Sequence, residues 1–193
     1  FILYASGRGR EAAGSVAERF GRLPERVNPH RRPSIWVHAV SVGEALAARP
    51  LLSGLRANYP DHRLLLSTTT ATGREVAQRF GRHLVDAVFY VPFDFTPFVN
   101  ASLDRVSPQL LVIIDTEIWP NLFRACRLRG SKIVMVNGRL SNRSFRGYKM
   151  VKGFMRRVVR NFDRVGVQTN LWKDRFVALG VHRGRIAVTG SRR

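Results

Sequence analysis

The chain has 193 residues, of which 45% are apolar, so it is large enough to bury the core of one domain. Its 33 lysines and arginines against 13 aspartates and glutamates give a net charge of +20, which indicates a strongly anionic partner such as nucleic acid, phosphorylated lipid or an acidic membrane leaflet. A single cysteine, Cys126, excludes a disulfide framework and a thiolate metal site and fits a reducing cytoplasmic setting. Apolar runs such as "LLVII" are far shorter than the roughly 18 residues of a membrane span.

The first 33 residues differ from the rest of the chain. They contain one short helical run, "EAAGSVAERFG", followed by an irregular basic stretch, "RLPERVNPHRRP". We expect residues 1–33 to form an N-terminal extension and residues 34–193 to form one folded domain. The opening "FILY" leaves open that a hydrophobic segment preceded it.

From residue 34 onwards, apolar strand-like segments alternate with segments of helical spacing. The predicted strands are Ile35–Val40, Arg63–Ser67, Leu84–Val91, Leu110–Asp115, Lys132–Val136, Arg164–Gln168 and Arg185–Val188. The helical segments between them include "ALAARPLLSGLRANY", "GREVAQRFG", "TPFVNASLDRV", "NLFRACRLRG", "YKMVKGFMRRVVRNF" and "LWKDRFVALG". This alternation predicts an α/β fold: a Rossmann-like parallel sheet with helices on both faces.

Two of the helical segments carry a further expectation. Pro50 lies inside the first, where it either kinks the helix or marks a later start. In the fifth, an apolar stripe is expected to face the sheet while the basic residues between its members meet anionic lipid. The stripe consists of Met150, Val151, Phe154, Met155, Val158, Val159 and Phe162.

Polar residues follow each predicted strand. In an open parallel sheet, ligands bind beyond the carboxyl ends of the strands, so these residues are the candidates for function. They lie at 41–44, 67–72, 92–94, 116–121, 137–141, 168–170 and 189–191. Turn formation and helix capping alone account for some of them. Their position at one common edge is the better indication of a site.

Glu44 has two interpretations. Ser41 and Glu44 match the S-x-x-E capping box, in which each side chain satisfies a free backbone N–H at the start of a helix. A carboxylate at a helix N-terminus is also held ionised and oriented, so Glu44 is a candidate general base toward a hydroxyl group. The local sequence favours the cap.

Other chemistries lack their motifs. No G-x-G-x-x-G follows a predicted strand, and the P-loop spacing is absent. The five histidines are scattered without metal-ligand spacing, and His38, within a strand, is expected to be a hydrogen-bonded core residue. We therefore predict no metal and no cofactor, and a site built on Glu44, Asp115 and Glu117.

At these residues the sequence resembles the 3-deoxy-D-manno-octulosonic acid (Kdo) transferases. The blocks that carry the resemblance run in order along nearly the whole chain: "ERFG" at 18–21, "HAVSVGE" at 38–44, "TTTATG" at 68–73, "TEIWPN" at 116–121, "NGRLSNRSFRGY" at 137–148 and "VTG" at 188–190.

The resemblance implies a GT-B glycosyltransferase that moves Kdo from CMP-Kdo to lipid A precursor in lipopolysaccharide biosynthesis. This chain would be its N-terminal, acceptor-binding domain, and CMP-Kdo would bind mainly through a C-terminal domain absent from this chain. The expected location is the cytoplasmic face of the bacterial inner membrane, peripheral or anchored by a segment absent here.

The resemblance also assigns residues. Glu44 would be the catalytic base, Asp115 would stabilise the transition state, and Arg193 would supply the positive charge of a family lysine. The family usually has "ETE" where this chain reads Asp115-Thr116-Glu117, which sets the first carboxylate about a methylene back, and arginine does not replace lysine geometrically. The residues predicted to bind substrate are Ser41, Gly43, Thr70, Glu117, Asn137 and Arg139.

Two alternatives remain open on the sequence. The charge allows a basic nucleic-acid-binding module, although no such motif is present and carboxylates collect where phosphates would lie. The fold allows another GT-B sugar transferase or a sugar-nucleotide epimerase. Trp119 is expected to pack rather than to stack on a sugar, and Pro120 suits the first turn of a helix.

Overall fold

The structure, a computed structural model, describes residues 15–81 and 83–190. Its strands are β1 (Ser34–His38), β2 (Arg63–Thr68), β3 (Ala87–Tyr90), β4 (Pro108–Ile114), β5 (Lys132–Gly138), β6 (Arg164–Val167) and β7 (Ile186–Val188). The helices between them are α1 (Val42–Ala47), α2 (Arg49–Asn58), α3 (Ala71–Gly81), α4 (Thr96–Val106), α5 (Pro120–Leu128), α6 (Asn142–Met150), α7 (Lys152–Val159) and α8 (Asn170–Leu179). Residues 15–19 are also helical, and Glu25–Val27 and Arg183–Arg185 form short 3-10 turns.

The strands form one parallel sheet in the order β3-β2-β1-β4-β5-β6-β7. The chain builds outward from β1 through β2 to β3, then returns to β4 and builds in the other direction. The switch point of the doubly wound sheet therefore lies between β1 and β4. This arrangement confirms the predicted α/β fold.

Helices cover both faces because side chains alternate along the strands. Ile35 and Val37 face a core that includes Ala45 of α1, Leu52 of α2 and Ala77 of α3. On the opposite face, Trp36 belongs to the larger core, to which α4, α5, α7 and α8 contribute. A strand buried on both faces reads as a continuous apolar run, as "LLVII" does in β4.

Pro50 separates two helices. α1 ends at Ala47, and α2 begins at Arg49 with the proline in its first turn, where the missing N–H has no intrahelical partner to lose. The helix therefore starts early, and the proline marks the start of a second one.

The predicted apolar stripe at 150–162 is only half buried. Met155, Val158, Val159 and Phe162 are in the core, as expected. The prediction was wrong for Met150, Val151 and Phe154, which are 87%, 51% and 54% exposed. The helix breaks at Val151, where φ is −110° and ψ is 36°, so the residues around the break leave the sheet-facing side.

Residues 15–33 pack against the sheet, while residues 1–14 of the predicted extension lie outside the described residues. Glu18 is 3% exposed and accepts hydrogen bonds from both Arg74 terminal nitrogens, at 2.7 and 3.1 Å, and from the Tyr90 N–H at 2.9 Å. Val27 joins the larger core, and the buried Asn28 side chain donates to the Val106 carbonyl at 3.0 Å. The boundary at residue 33 stays a prediction.

Candidate active site

The turn between β1 and α1 fixes the Glu44 carboxylate. Ser41 is the N-cap of α1, and its hydroxyl oxygen accepts the Glu44 N–H at 3.4 Å. The Glu44 carboxylate in turn accepts the Ser41 hydroxyl at 3.1 Å and the Val40 N–H at 2.7 Å. The reciprocal pattern is that of a capping box whose glutamate reaches back to the residue before the N-cap. The capping interpretation is confirmed, and the catalytic one stays a prediction.

Gly43, also in this turn, is exposed and has no packing constraint. A β-carbon added to it would meet no atom within 4 Å among the described residues. Its side of the turn is therefore open, and neither packing nor a positive φ explains a glycine here. The predicted role of Gly43 in substrate binding stays a prediction.

Thr70 lies beside the same turn but serves the fold. Its hydroxyl accepts the Gly73 N–H at 3.0 Å and so caps the start of α3. A β-carbon on Gly73 would lie 2.8 Å from the Thr70 hydroxyl oxygen and 3.4 Å from the Val40 carbonyl. The lack of a side chain at Gly73 lets α3 approach the Glu44 turn closely. This capping role does not test the predicted contact of Thr70 with substrate, which stays a prediction.

The ends of β4 and β5 are joined by an ion pair. Asp115 follows β4 in a left-handed conformation with φ of 64°, and its carboxylate accepts the Thr116 N–H at 2.7 Å. The Arg139 guanidinium donates to the same carboxylate, at 2.9 Å from Nε and also from a terminal nitrogen. The Thr116 hydroxyl accepts the Arg139 N–H at 2.7 Å. Asp115 and Arg139 therefore lie together, as the strand-end pattern predicts.

Asn137, near the end of β5, is also left-handed, with φ of 59°, and its side-chain oxygen accepts the Gln168 amide. Asparagine and aspartate tolerate this conformation better than most residues. Left-handed non-glycine residues at two adjacent strand ends are typical of functional edges. The role of Asn137 in substrate binding stays a prediction.

Glu44, Asp115 and Glu117 form a carboxylate cluster at the switch point. Burial, followed by the charges of Glu44 and Asp115, raises the pKa of Glu117 to about 7, against the opposing effect of the Trp119 indole. The hydrogen bond from Arg139 to Asp115 raises the pKa of Arg139, and the charge of Glu44 adds to it. The charges of Glu44 and Asp115 therefore act on both Glu117 and Arg139, which places the four groups in one region of the sheet edge.

Two aromatic residues also belong to this site, and the strand-end pattern missed one of them. Burial, and then the charge of Glu117, raises the pKa of Tyr148 on α6. Trp119 packs against the larger core, as expected, while its indole adjoins Glu117. Tyr148 lies ten residues after its strand, so no strand-end signal marks it.

His38 is the buried neighbour of Trp119. It is fully buried, its Nδ1 lies 2.8 Å from the Ser67 hydroxyl, and burial lowers its pKa to about 4. Its ring meets Trp119 edge to face at 5.4 Å. The expectation of a hydrogen-bonded core histidine is confirmed.

The remaining predictions concern metals, membranes and Arg193. Within residues 15–81 and 83–190, no three histidine, cysteine, aspartate or glutamate side chains are placed to hold a metal ion together. In the same ranges, no helix has the length and apolar character needed to cross a membrane. Arg193, predicted to be catalytic, lies outside the described residues.

Fold and site together define a Rossmann-like α/β domain with a carboxylate-lined site at the switch point of its sheet. Residues 14–193 match the family model described as 3-Deoxy-D-manno-octulosonic-acid transferase (kdotransferase). The chain belongs to this family.

Named relatives agree with the family model. A 3-deoxy-D-manno-octulosonic acid transferase of Haemophilus influenzae is 34% identical over 91% of this chain, and one of Chlamydophila psittaci is 32% identical over 92%. A bifunctional glycosyltransferase/methyltransferase of Fusobacterium nucleatum is 31% identical over 81%. The chain spans 41% of the length of each of the first two relatives.

Proposed function

We propose that this chain is the acceptor-side domain of a glycosyltransferase that moves Kdo from CMP-Kdo to lipid A precursor, with Glu44 as the general base. Glu44 would remove the proton from the acceptor hydroxyl as that oxygen attacks the anomeric carbon of Kdo and CMP leaves. CMP-Kdo would bind mainly to the part of the longer protein that this chain does not include. No cofactor or metal is part of the proposal.

The observation that carries the proposal is the placement of the Glu44 carboxylate. Hydrogen bonds from Val40 and Ser41 hold both of its oxygens on the protein side, which fixes the orientation of the group. The exposed Gly43 beside it leaves an open approach. A general base needs this combination of fixed geometry and access to the hydroxyl it deprotonates.

Contact with an anionic membrane surface is the second part of the proposal. α6 has no buried residue, and the break after it exposes an apolar patch of Met150, Val151 and Phe154. Lysines and arginines surround the patch on both helices, as in Lys149 and Lys152. Exposed apolar side chains within a basic surface are the chemistry that binds an anionic leaflet.

The transfer reaction is tested in the full-length protein. CMP-Kdo and tetraacylated lipid A precursor should yield a product heavier by one Kdo or more, detected by mass spectrometry, together with CMP. CMP-sialic acid is the control donor and should yield no product. No transfer from CMP-Kdo by the folded full-length protein would refute the proposed activity. Robust transfer by residues 1–193 alone would instead contradict the proposal that this chain is only the acceptor-side domain, because a GT-B site forms between two domains.

Membrane contact is tested with vesicles. Binding to vesicles containing phosphatidylglycerol should exceed binding to phosphatidylcholine vesicles and should fall with salt, because surface attraction is screened over about 8 Å at physiological ionic strength. Phe154→Ser should weaken binding, whereas Leu128→Ser, which changes a 76% exposed leucine at the end of α5, should not. Equal binding to both vesicle types would count against this contact. Tight, sequence-selective RNA binding would favour the nucleic-acid alternative, which nothing in the fold or the comparisons supports.

A further inference from the structure

The "ERFG" block at 18–21 packs onto the carboxyl end of β3. The Phe93 N–H donates to the Arg19 carbonyl at 2.9 Å, and the buried Glu18 carboxylate accepts the Tyr90 N–H at 2.9 Å. Because all strands of the sheet are parallel, their carboxyl ends share one edge. The block therefore lies at the edge that carries Glu44, although the reaction proposed above gives it no role.

The Arg19 side chain extends from this block to the end of β2. Its guanidinium donates to the carbonyl of Thr69, the residue that follows β2. The same guanidinium lies 4.5 Å from the centre of the Tyr90 ring and 5.9 Å from the centre of the Phe93 ring. Contact with two rings and one carbonyl fixes the plane of the guanidinium group before any ligand binds.

Arg19 is not paired with a carboxylate among the described residues. The adjacent acid, Glu18, is 3% exposed and is bound instead by Arg74, at 2.7 and 3.1 Å. Arg74 also lies 4.6 Å from the centre of the Tyr90 ring, so two guanidinium groups share one ring and one carboxylate. Arginine has five N–H donors, and in the described part of the chain the Arg19 guanidinium uses them only toward the Thr69 carbonyl. A partly buried, oriented cation with unused donors is suited to an oxyanion.

A short series of hydrogen bonds joins Arg19 to Glu44. Thr69, whose carbonyl accepts from Arg19, donates its own N–H to the Val40 carbonyl at 3.3 Å. The Val40 N–H in turn donates to the Glu44 carboxylate at 2.7 Å. Three hydrogen bonds and two residues span no more than about 16 Å. That separation is within the reach of a phosphorylated mono- or disaccharide whose hydroxyl lies at Glu44.

We propose that Arg19 binds a phosphate group of the acceptor lipid while the accepting hydroxyl lies at Glu44. The proposal rests on the proposed function, in which the acceptor is a phosphorylated glycolipid. The planar guanidinium matches two oxygens of a phosphate group, which a lysine ammonium does not. Arg74 adds positive charge, and α3, which begins at Ala71, presents the positive end of its dipole on this side of the turn.

The test measures steady-state kinetics of the full-length protein in nonionic detergent micelles without phospholipid. Arg19→Gln keeps a donor for the Thr69 carbonyl but removes the charge, so KM for lipid A precursor should rise about tenfold to a hundredfold with little change in kcat. Arg19→Lys keeps the charge and should restore part of the affinity. Arg22→Gln removes the same charge from an exposed residue of the same segment, and this matched control should behave as the wild type.

A second comparison changes the ligand instead of the protein. Equilibrium binding to the full-length protein is measured by calorimetry for lipid A precursor and for the same lipid after its phosphates have been removed. The wild type should bind the phosphorylated lipid more tightly, and Arg19→Gln should lose affinity for that lipid alone. Equal losses for both lipids, or a lower melting temperature with unchanged affinity, would show that Arg19 only supports the fold, and the inference would be wrong.

The outcomes also separate the possible sources of the phosphate and the two proposals. If Arg19→Gln raises KM for CMP-Kdo and not for the acceptor, Arg19 binds the donor's phosphate and the inference is wrong. If the wild type transfers Kdo and Arg19→Gln matches it in every parameter, the inference fails while the proposed function stands. If the wild type transfers no Kdo yet binds the lipid through its phosphates and Arg19, the reaction is refuted and the phosphate site is retained.

Discussion

Replacing Glu44 by glutamine separates its capping role from its proposed catalytic role. Glutamine keeps one side-chain oxygen for the Val40 N–H, now 2.7 Å from the carboxylate, and its amide can donate to the Ser41 hydroxyl, now 3.1 Å away. Exchanging charge-assisted hydrogen bonds for neutral ones costs about 1 kcal/mol, and removal of the repulsion with Glu117 offsets part of that cost. The free energy of unfolding should therefore fall by less than about 1 kcal/mol.

The rate should respond very differently. Glutamine cannot accept the proton of the acceptor hydroxyl, and loss of a general base typically lowers the rate about a hundredfold to ten-thousandfold. Thermal unfolding and Kdo transfer should be measured on the same full-length preparation, with Glu75→Gln as the control. If Glu44→Gln unfolds early yet retains near-normal turnover, Glu44 is only a cap, and Asp115 or Glu117 must be examined as the base.

Four further substitutions test neighbouring features. Ser41→Ala should lower the free energy of unfolding by about 1 kcal/mol through loss of the cap while leaving much of the transfer rate, and a near-inactive but stable variant would instead assign Ser41 to substrate. Gly43→Ala should leave the free energy of unfolding unchanged or raise it by up to about 1 kcal/mol, because the added methyl group meets no atom within 4 Å. The same variant should slow Kdo transfer, and unaltered kinetics would contradict a role of Gly43 in leaving room for substrate. Glu18→Gln should lower the free energy of unfolding, measured by chemical denaturation, by about 3 kcal/mol, because it leaves Arg74 without its charged partner. A change of only a few tenths of a kcal/mol would show that residues 15–33 contribute little to the stability of the fold. Glu117→Gln should change how stability depends on pH. Because the pKa of Glu117 is raised in the folded state, its contribution to the free energy of unfolding is full below about pH 4.5 and is lost as the pH rises through about 7. At pH 8 the variant should therefore be more stable than the wild type by about 1 kcal/mol after allowance for solvent screening, and this difference in stability should shrink as the pH falls.

Sequence alone determined the sheet and the edge at which the site lies. Seven strands were predicted within a few residues of their observed bounds, because side-chain periodicity is a local property that burial on two faces makes visible. The pairing of Ser41 with Glu44 was equally local, since a capping box requires only residues three apart. The meeting of Asp115 with Arg139 followed from parallel topology, which brings all carboxyl ends to one edge.

Only the tertiary structure decided which side chains those elements expose and how the site is charged. The helix breaks at Val151, where the sequence has neither a proline nor a glycine to mark the break. The exposure of Met150 and Phe154 depends on where α7 packs against α5 and α8. The raised pKa of Glu117 requires burial together with the charges of Glu44 and Asp115. These two residues lie 73 and two positions before Glu117 in the chain. Such through-space effects have no periodic signature, so the sequence could propose three carboxylates at one edge, and only the fold showed that burial raises the pKa of Glu117.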